Sequence, residues 1–435
     1  MRLQFAIKRK LVARMYSGYG SRAKRSPSLD YFLPKPVHFP GGRLLGQCRH
    51  KEQTTGDPKL LEPYKIKSTV FQNRIGVSPM CTYSAAPDGE TIGHATKFHE
   101  INYGSFALRG PGLIILETAA VCPEGRTSPE DLGIWLDSQA ESLRPIVDFA
   151  HAQGVKIGIQ IGHGGRKASG LPLSLHLSKA ANKDSDQGWD TVGPSAISFD
   201  EELFPTPREM TLEEIQAVVR LFKDAARRSL DISGFDFVEI HAAHGFLLNN
   251  FLSELSNKRT DRYGGSFLNR TRLLLEIIDE VKDDEHPLFV RVSATDRSQL
   301  PEAWKLEHTQ ELALLLEDHG VDVIDVSDGG NFNRPYHLPH VPANQAPLAK
   351  GVRDTLRNRG TKHSMLVATV GSISSGLIAE EKLDDGSADV ILSGREFLIN
   401  PGAAIRFAQD LGYSISSGWP YEWTYEPPPL TGSNM

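Results

Sequence analysis

The chain has 435 residues, 39% of them hydrophobic, and a formal net charge of −6. A large core is within reach, and charge spread along the whole chain offers no basic face to a nucleic acid. No apolar run reaches the roughly 18 residues that a membrane-crossing helix needs. The three cysteines, Cys48, Cys81 and Cys122, form no spaced set and point to a reducing compartment, the cytoplasm.

The N-terminus differs from the rest. Arg2, Lys8, Arg9, Lys10, Arg14, Arg22, Lys24 and Arg25 occur with no acid before Asp30, and Leu3, Ile7, Leu11 and Met15 fall at i, i+4 spacing. That is the composition of a mitochondrial transit peptide. A disordered basic tail on a cytoplasmic enzyme, or a wrongly placed start codon, gives the same pattern. Residues 1–60 read as an irregular extension broken by Pro34, Pro36, Pro40, Gly41 and Gly42. From about residue 65 a rhythm begins. Short apolar runs predict strands at Ile75–Met80, Gly112–Thr118, Lys156–His163, Phe235–Ala242, Pro287–Ala294, Val321–Ser327, Met365–Gly371 and Ala388–Gly394.

Helical patterns lie between them. Thr211-Leu-Glu-Glu214 is a capping box ahead of Ile215, Val218, Val219, Phe222 and Ala226. Leu312, Leu315 and Leu316 lead to Gly320 as a C-terminal cap, and Asn400-Pro401 reads as a cap plus first-turn proline. Eight strands alternating with helices predict a (β/α)₈ barrel over residues 61–415, followed by a tail at 416–435. A doubly wound sheet is the alternative, but no strand is followed by Gly-x-Gly-x-x-Gly. The connection from 164 to 210, after the third strand, is far longer than the others and carries Trp189 and Gly193-Pro-Ser-Ala196. Such length suits a rim or lid.

The fourth strand ends in Val238-Glu-Ile-His241-Ala-Ala-His244-Gly-Phe246. Imidazoles at the end of a buried strand cost desolvation, so a purely structural role gives little reason for two of them. In a parallel barrel the C-terminal strand ends line one mouth, where ligands bind. In chain order those ends carry Cys81 and Tyr83, Thr118, Gln160 and His163, His241 and His244, Arg291, Ser327-Asp-Gly-Gly-Asn331, Gly371, and Gly394-Arg395. Each has a bland reading: Arg291 as an interior charge paired with Glu239, Gln160 as a satisfied layer residue, Cys81 as a small buried hydrophobe. Their gathering at one end favours a site. Gly371 and Gly394-Arg395, after the last two strands, stand where barrels hold phosphate. A metal on the histidine pair lacks a neighbouring third ligand.

Seven motifs together resemble the Old Yellow Enzyme family over about residues 60–425. They are Ser78–Ser84, Gly158–Lys167, Gly193–Ala196, Val238–Gly245, Asn257–Ser266, Val290–Ala294 and Gly394–Pro401; the Cys81/Tyr83 pair is similar to its YqjM-like, "thermophilic-like" branch. The resemblance implies a barrel with noncovalent FMN that reduces activated C=C bonds with NAD(P)H. It lays the backbone of Ser78, Pro79, Met80 and Cys81 along the flavin, sets Thr118, Gln160 and Arg291 at its pyrimidine side, and gives the phosphate to Gly371, Gly394 and Arg395. His241 and His244 would donate to the carbonyl oxygen of an enone or related small molecule, with Tyr83 as a third donor.

Two departures stand out. The family usually has a proton-donating tyrosine two residues after the second histidine, and Phe246 stands there. Relatives end in an arginine that enters a neighbouring subunit; Pro420–Tyr425 matches that tail with Tyr425 in the arginine's place. The resemblance implies a homo-oligomer, and this departure leaves the trans contact, and with it that oligomer, open. The expected activity is ene-reduction in a ping-pong cycle. The alternatives are a flavin-dependent isomerase or biosynthetic variant, a barrel that only binds its ligand, and a flavin-free phosphate-binding lyase.

Overall fold

The computed structural model describes residues 40–48, 56–172, 188–336, 341–360, 365–418 and 421. The basic N-terminal segment, residues 173–187 of the long connection, and Tyr425 lie outside the described residues.

Eight parallel strands close into a ring: β1 Ile75–Val77, β2 Leu113–Ala120, β3 Lys156–Gly162, β4 Phe237–Ala242, β5 Leu288–Ser293, β6 Val323–Ser327, β7 Leu366–Thr369 and β8 Val390–Ser393. Consecutive strands pair, and β8 returns to β1 through Ile391↔Ile75, which seals the barrel. The helices are α1 Lys97–Ala107, α2 Asp137–Ala152, α3 Leu212–Arg227, α4 Leu247–Leu252, α5 Phe267–Val281, α6 Leu306–Asp318, α7 Ala346–Asn358, α8 Gly376–Asp384, α9 Arg395–Ile399 and α10 Ala403–Asp410. Every strand anticipated from the sequence is present. β1 stops three residues short of the expected Met80 because Ser78–Cys81 leave the ladder to border the mouth.

Local chemistry explains most helix ends. The Thr211 hydroxyl accepts from the Glu214 amide at 3.3 Å, while the Glu214 carboxylate accepts from the Thr211 amide at 2.8 Å, the reciprocal pair of a capping box. Gly320, with φ +87°, follows α6 in the left-handed conformation its C-terminal cap requires. Asn400-Pro401 does not open α10, contrary to expectation. The helix begins at Ala403, and the Asn400 carboxamide instead accepts from the Gly402 amide at 2.9 Å, forming a turn ahead of it. The stretch read as irregular also contains a strand, Leu44–Gln47, paired antiparallel with Tyr413–Ile415 near the other end of the chain.

The interior decides where a ligand can go. A hairpin of Tyr64–Ile66 and Thr69–Phe71 precedes β1. Its Tyr64 and Phe71 rings stack at 4.7 Å, Phe71 meets Phe237 edge-on at 5.9 Å, and Phe237 stacks on Phe289 at 4.5 Å. Burying each ring contributes about 1.5–3 kcal/mol before its entropy is counted. Gly158 makes room for this stack, since a β-carbon there would strike the Phe237 ring. The N-terminal end of the barrel is therefore filled with hydrocarbon, and polar side chains collect at the other end.

Candidate active site

Polar residues begin one layer above the aromatic floor. The Thr118 hydroxyl donates to the Gln160 carbonyl, and the Gln160 amide donates to Glu239 at 2.8 Å. Register sets Arg291 between His241 on β4 and Asp325 on β6. The Arg291 Nε lies 3.0 Å from Asp325 Oδ2, but not along the N–H direction; it has no hydrogen-bond partner among the described residues. Charge thus pairs across this gap while a guanidinium donor remains unspent. Burial raises both acids, with Glu239 pushed up to about 8, and the nearby Asp325 charge adds to that rise. Since Asp325 has the cation at contact, Glu239 is the acid that keeps its proton at neutral pH. Asp325 was the partner sequence reasoning missed; the alternation of Val323-Ile-Asp-Val326 could have placed it on the interior face.

His241 and His244 close the layer above. Their Nε2 and Nδ1 atoms are 3.4 Å apart, with the rings nearly perpendicular. Burial and the Arg291 charge hold both well below the usual histidine range, so both are neutral. A backbone hydrogen bond assigns the His241 tautomer; the Ser327 contact fits either His244 tautomer, and the donor pair follows when the serine donates. The Ala243 amide donates to His241 Nδ1 at 3.3 Å, which leaves the proton on Nε2. Ser327 Oγ lies 2.6 Å from His244 Nε2; with the serine donating, the His244 proton sits on Nδ1. In that state both rings present an N–H at their 3.4 Å contact, where a shared acceptor would take both. His244 has φ +61°, and its amide donates to Ser293 Oγ at 2.8 Å, so β5 fixes this turn. The serines at 293 and 327 were not singled out from sequence, although Ser327 lay in a noted strand-end motif.

Phe246 meets His241 edge-on at 4.9 Å. Lys167, from the long connection, donates to the His244 carbonyl at 2.8 Å and the Gly330 carbonyl at 3.1 Å. Across the mouth, Cys81 and Tyr83 follow β1, with Tyr83 at φ +53°. Burial, with Asp131 and Glu117 nearby, pushes the Cys81 thiol well up, so it stays protonated; Tyr83 is raised as well. Behind them the buried Glu117 accepts from the Thr82 amide at 2.7 Å, the Thr82 hydroxyl at 2.8 Å and Tyr103 at 3.0 Å. Burial still lifts its carboxyl to about 7.

The last two strand ends form a cradle. Arg395 donates to Ser372 Oγ at 2.9 Å, joining the β8 end to the β7 end. Gly371 has φ +116°, and a β-carbon there would lie 2.5 Å from Asn344 Oδ1. Asn344 Oδ1 and Gln345 Oε1 are buried acceptors without partners among the described residues. Gly394 borders the Met80 thioether, so the cradle is continuous with the segment after β1. His163 stands apart from the histidine pair and accepts from the Gly165 amide at 3.0 Å. The long connection is pinned at its rim: Arg126 packs on Trp189 at 5.0 Å and Trp135 at 5.8 Å, and Trp189 Nε1 donates to the Glu124 carbonyl at 2.9 Å. Among the described residues, no group of three or more His, Cys, Asp or Glu is placed to hold a metal, and no helix is long and apolar enough to cross a membrane.

Comparison with known proteins covers the same region. Residues 59–413 match the NADH:flavin oxidoreductase / NADH oxidase family. An NADH:flavin oxidoreductase of Gibberella zeae is 42% identical over 388 residues, 86% of this chain and 91% of its own length. An NADPH dehydrogenase of Bacillus subtilis is 41% identical over 365 residues, 84% of this chain and 98% of its own. Among solved structures, morphinone reductase superposes with a TM-score of 0.65 at 26% identity, over 88% of this chain and all of the other. A 2-naphthoyl-CoA reductase shares the fold at a TM-score of 0.69 and 23% identity; the match spans 82% of this chain and 53% of that one.

Proposed function

Because the chain belongs to the NADH:flavin oxidoreductase / NADH oxidase family, the Old Yellow Enzyme family, we propose that the mouth of its barrel binds FMN noncovalently and reduces the C=C bond of α,β-unsaturated carbonyl compounds. The protein is an NAD(P)H-dependent flavin oxidoreductase of the ene-reductase type.

The donor set suits FMN. Arg291 Nε makes no hydrogen bond among the described residues, and a fixed cation near the pyrimidine ring favours the negative charge of the reduced cofactor. Thr118 and Gln160 connect to it through Glu239, which feels the Arg291 charge. Arg395, Ser372 and the Gly371 and Gly394 backbones would take the phosphate, while the orphan acceptors of Asn344 and Gln345 suit hydroxyl donors on the ribityl chain. Ser78, Pro79, Met80 and Cys81 would run along the ring. FMN supplies the hydride chemistry, drawing on NAD(P)H.

The histidine pair carries the reading. Two neutral N–H donors 3.4 Å apart would hold the carbonyl oxygen of an enone. Hydride addition at the β-carbon drives negative charge onto that oxygen, and donors already in place stabilise it without reorganising. Tyr83 would add a third donor from across the mouth. The Cys81/Tyr83 pair supports placement in the YqjM-like branch. Phe246, which has no proton to give, favours a second reading for suitable substrates: the hydride returns after bond rotation and the net result is isomerisation.

Acid precipitation of the purified protein should release free FMN. The enzyme, reduced by NADPH without oxygen, should then be reoxidised by 2-cyclohexenone. A colourless protein that FMN cannot reconstitute defeats the proposal.

A further inference from the structure

Protonation of the substrate's α-carbon needs an acid, and the side chain at position 246 has none. We propose that Lys167 is the proton donor of the second half of the reaction, a catalytic residue reached from the long connection after β3 and not from the β4 turn. This rests on the ene-reductase reading above.

The geometry carries it. An ammonium has three protons to donate. Two of those on Lys167 are used on the His244 and Gly330 carbonyls, at 2.8 and 3.1 Å. The nitrogen lies over the Phe246 ring at 5.2 Å from its centre and over the Phe199 ring at 4.6 Å. Among the described residues the third N–H has no oxygen to bind, only ring faces. Phe246 itself touches His241 edge-on. The amine thus stands on the wall of the carbonyl anchor, holding the backbone oxygen of one anchoring histidine.

Lys167, His244 and Phe246 are each only partly covered, whereas His241 is buried. No carboxylate is within ion-pair distance of Lys167 among the described residues, so its charge is not spent on a salt bridge. The groups facing it are the Arg166 cation on its own turn, the neutral His241 and His244 of the β4 end, and the cations Arg291 and Arg297 beyond them. Burial and Arg166 lower the Lys167 ammonium to about 8, which makes it a readier acid than an exposed lysine and leaves it mostly charged at neutral pH. Tyr83 is the rival donor. Burial raises it first, and the nearby Asp131 and Glu117 raise it further, so it holds its proton more tightly.

The step balances. Hydride adds at the β-carbon and the π pair moves toward oxygen, giving an enolate held by His241 and His244. The α-carbon then takes a proton from Lys167: a C–H bond forms, an N–H bond breaks, and nitrogen keeps the electron pair. Water returns the proton to the neutral amine.

The test uses FMN-loaded enzyme reduced by NADPH and mixed anaerobically with 2-cyclohexenone or with menadione, a quinone that is protonated on oxygen and needs no carbon acid. Lys167→Met should slow reoxidation by the enone ~10²- to 10⁴-fold, the usual contribution of a general acid, and leave reoxidation by menadione near wild type. In wild type the enone rate should fall as pH rises through about 8, because the acid form is lost, and Lys167→Met should lack that fall. Adding Phe246→Tyr to Lys167→Met should restore the enone rate and move its decline to higher pH. Wild-type enone rates in Lys167→Met overturn the proposal. So does an equal loss with menadione, which would mark a collapsed loop, or a failure of the tyrosine to rescue. Wild-type enzyme that menadione reoxidises and no enone does overturns the ene-reductase reading as well.

Discussion

Replacing His241 with leucine removes one of the two donors while keeping an apolar side chain of similar reach in a fully enclosed position. A donor aimed at developing charge is typically worth ~3–4 kcal/mol, or ~10²–10³ in rate. Only His241 loses its N–H, and His244 keeps its own through the 2.6 Å contact with Ser327, so the loss should not exceed that range. There is also a folding cost. The Ala243 amide loses its acceptor on His241 Nδ1, and an unsatisfied buried donor costs about 1–3 kcal/mol. Both parts can be read separately. Reoxidation of the reduced enzyme by 2-cyclohexenone should slow ~10²–10³-fold, flavin reduction by NADPH should change far less, and denaturant unfolding should show the smaller structural loss. Ser327→Ala is the companion: losing one neutral hydrogen bond, worth about 1 kcal/mol, should slow the same step ~5-fold without weakening FMN binding. Enone reoxidation at the wild-type rate in His241→Leu would refute the carbonyl anchor and the tautomer assignment with it.

Three further outcomes are expected. Cys81→Ala should shift the midpoint potential of bound FMN with the fold intact, measured by equilibration with a redox dye; an unchanged potential would assign Cys81 to packing. Glu117 has its folded-state pKa raised by burial, so its stability contribution is fully present below its ordinary 4.5 and is lost as pH rises through about 7. Glu117→Gln should therefore flatten that part of the melting-temperature profile, and a slope identical to wild type would show that Glu117 is not the group titrating. Gly245 has φ +76°, and a β-carbon there would collide with the Gly330 carbonyl. Gly245→Ala should cost at least ~1 kcal/mol in denaturant unfolding and disturb the histidine turn; full stability would mean that the two loops can separate.

The barrel was legible because its signals are local. Each strand is a short apolar run, and each main helix carries its own stripe or cap, as Thr211–Glu214 does. The strand Leu44–Gln47 was not legible, because its partner Tyr413–Ile415 lies near the other end of the chain and its own four residues include Gly46. The Asn400-Pro401 signal was real but marked the turn before the helix. In the site, residue types at strand ends announced the histidine pair and the cradle. The partners that give them their protonation states were harder to see. Asp325 reaches Arg291 only through inter-strand register, Ser327 reaches His244 across two strands, and Lys167 arrives from a connection with no regular period. Such contacts join residues far apart in sequence, and local pattern gives at most the face a residue occupies, as the alternation around Asp325 does.

The aromatic stack of Tyr64, Phe71, Phe237 and Phe289 makes the barrel a cup with one rim. A nicotinamide arriving to deliver hydride and an enone arriving to collect it must use that same rim, and neither can pass the other by a rear exit. Crowding with either reactant therefore blocks the traffic of its counterpart. At fixed NADPH, turnover should climb with enone, reach a maximum and then decline, and the maximum should move to higher enone as NADPH is raised. The rings that stabilise the floor thereby set the concentration window in which the enzyme works fastest.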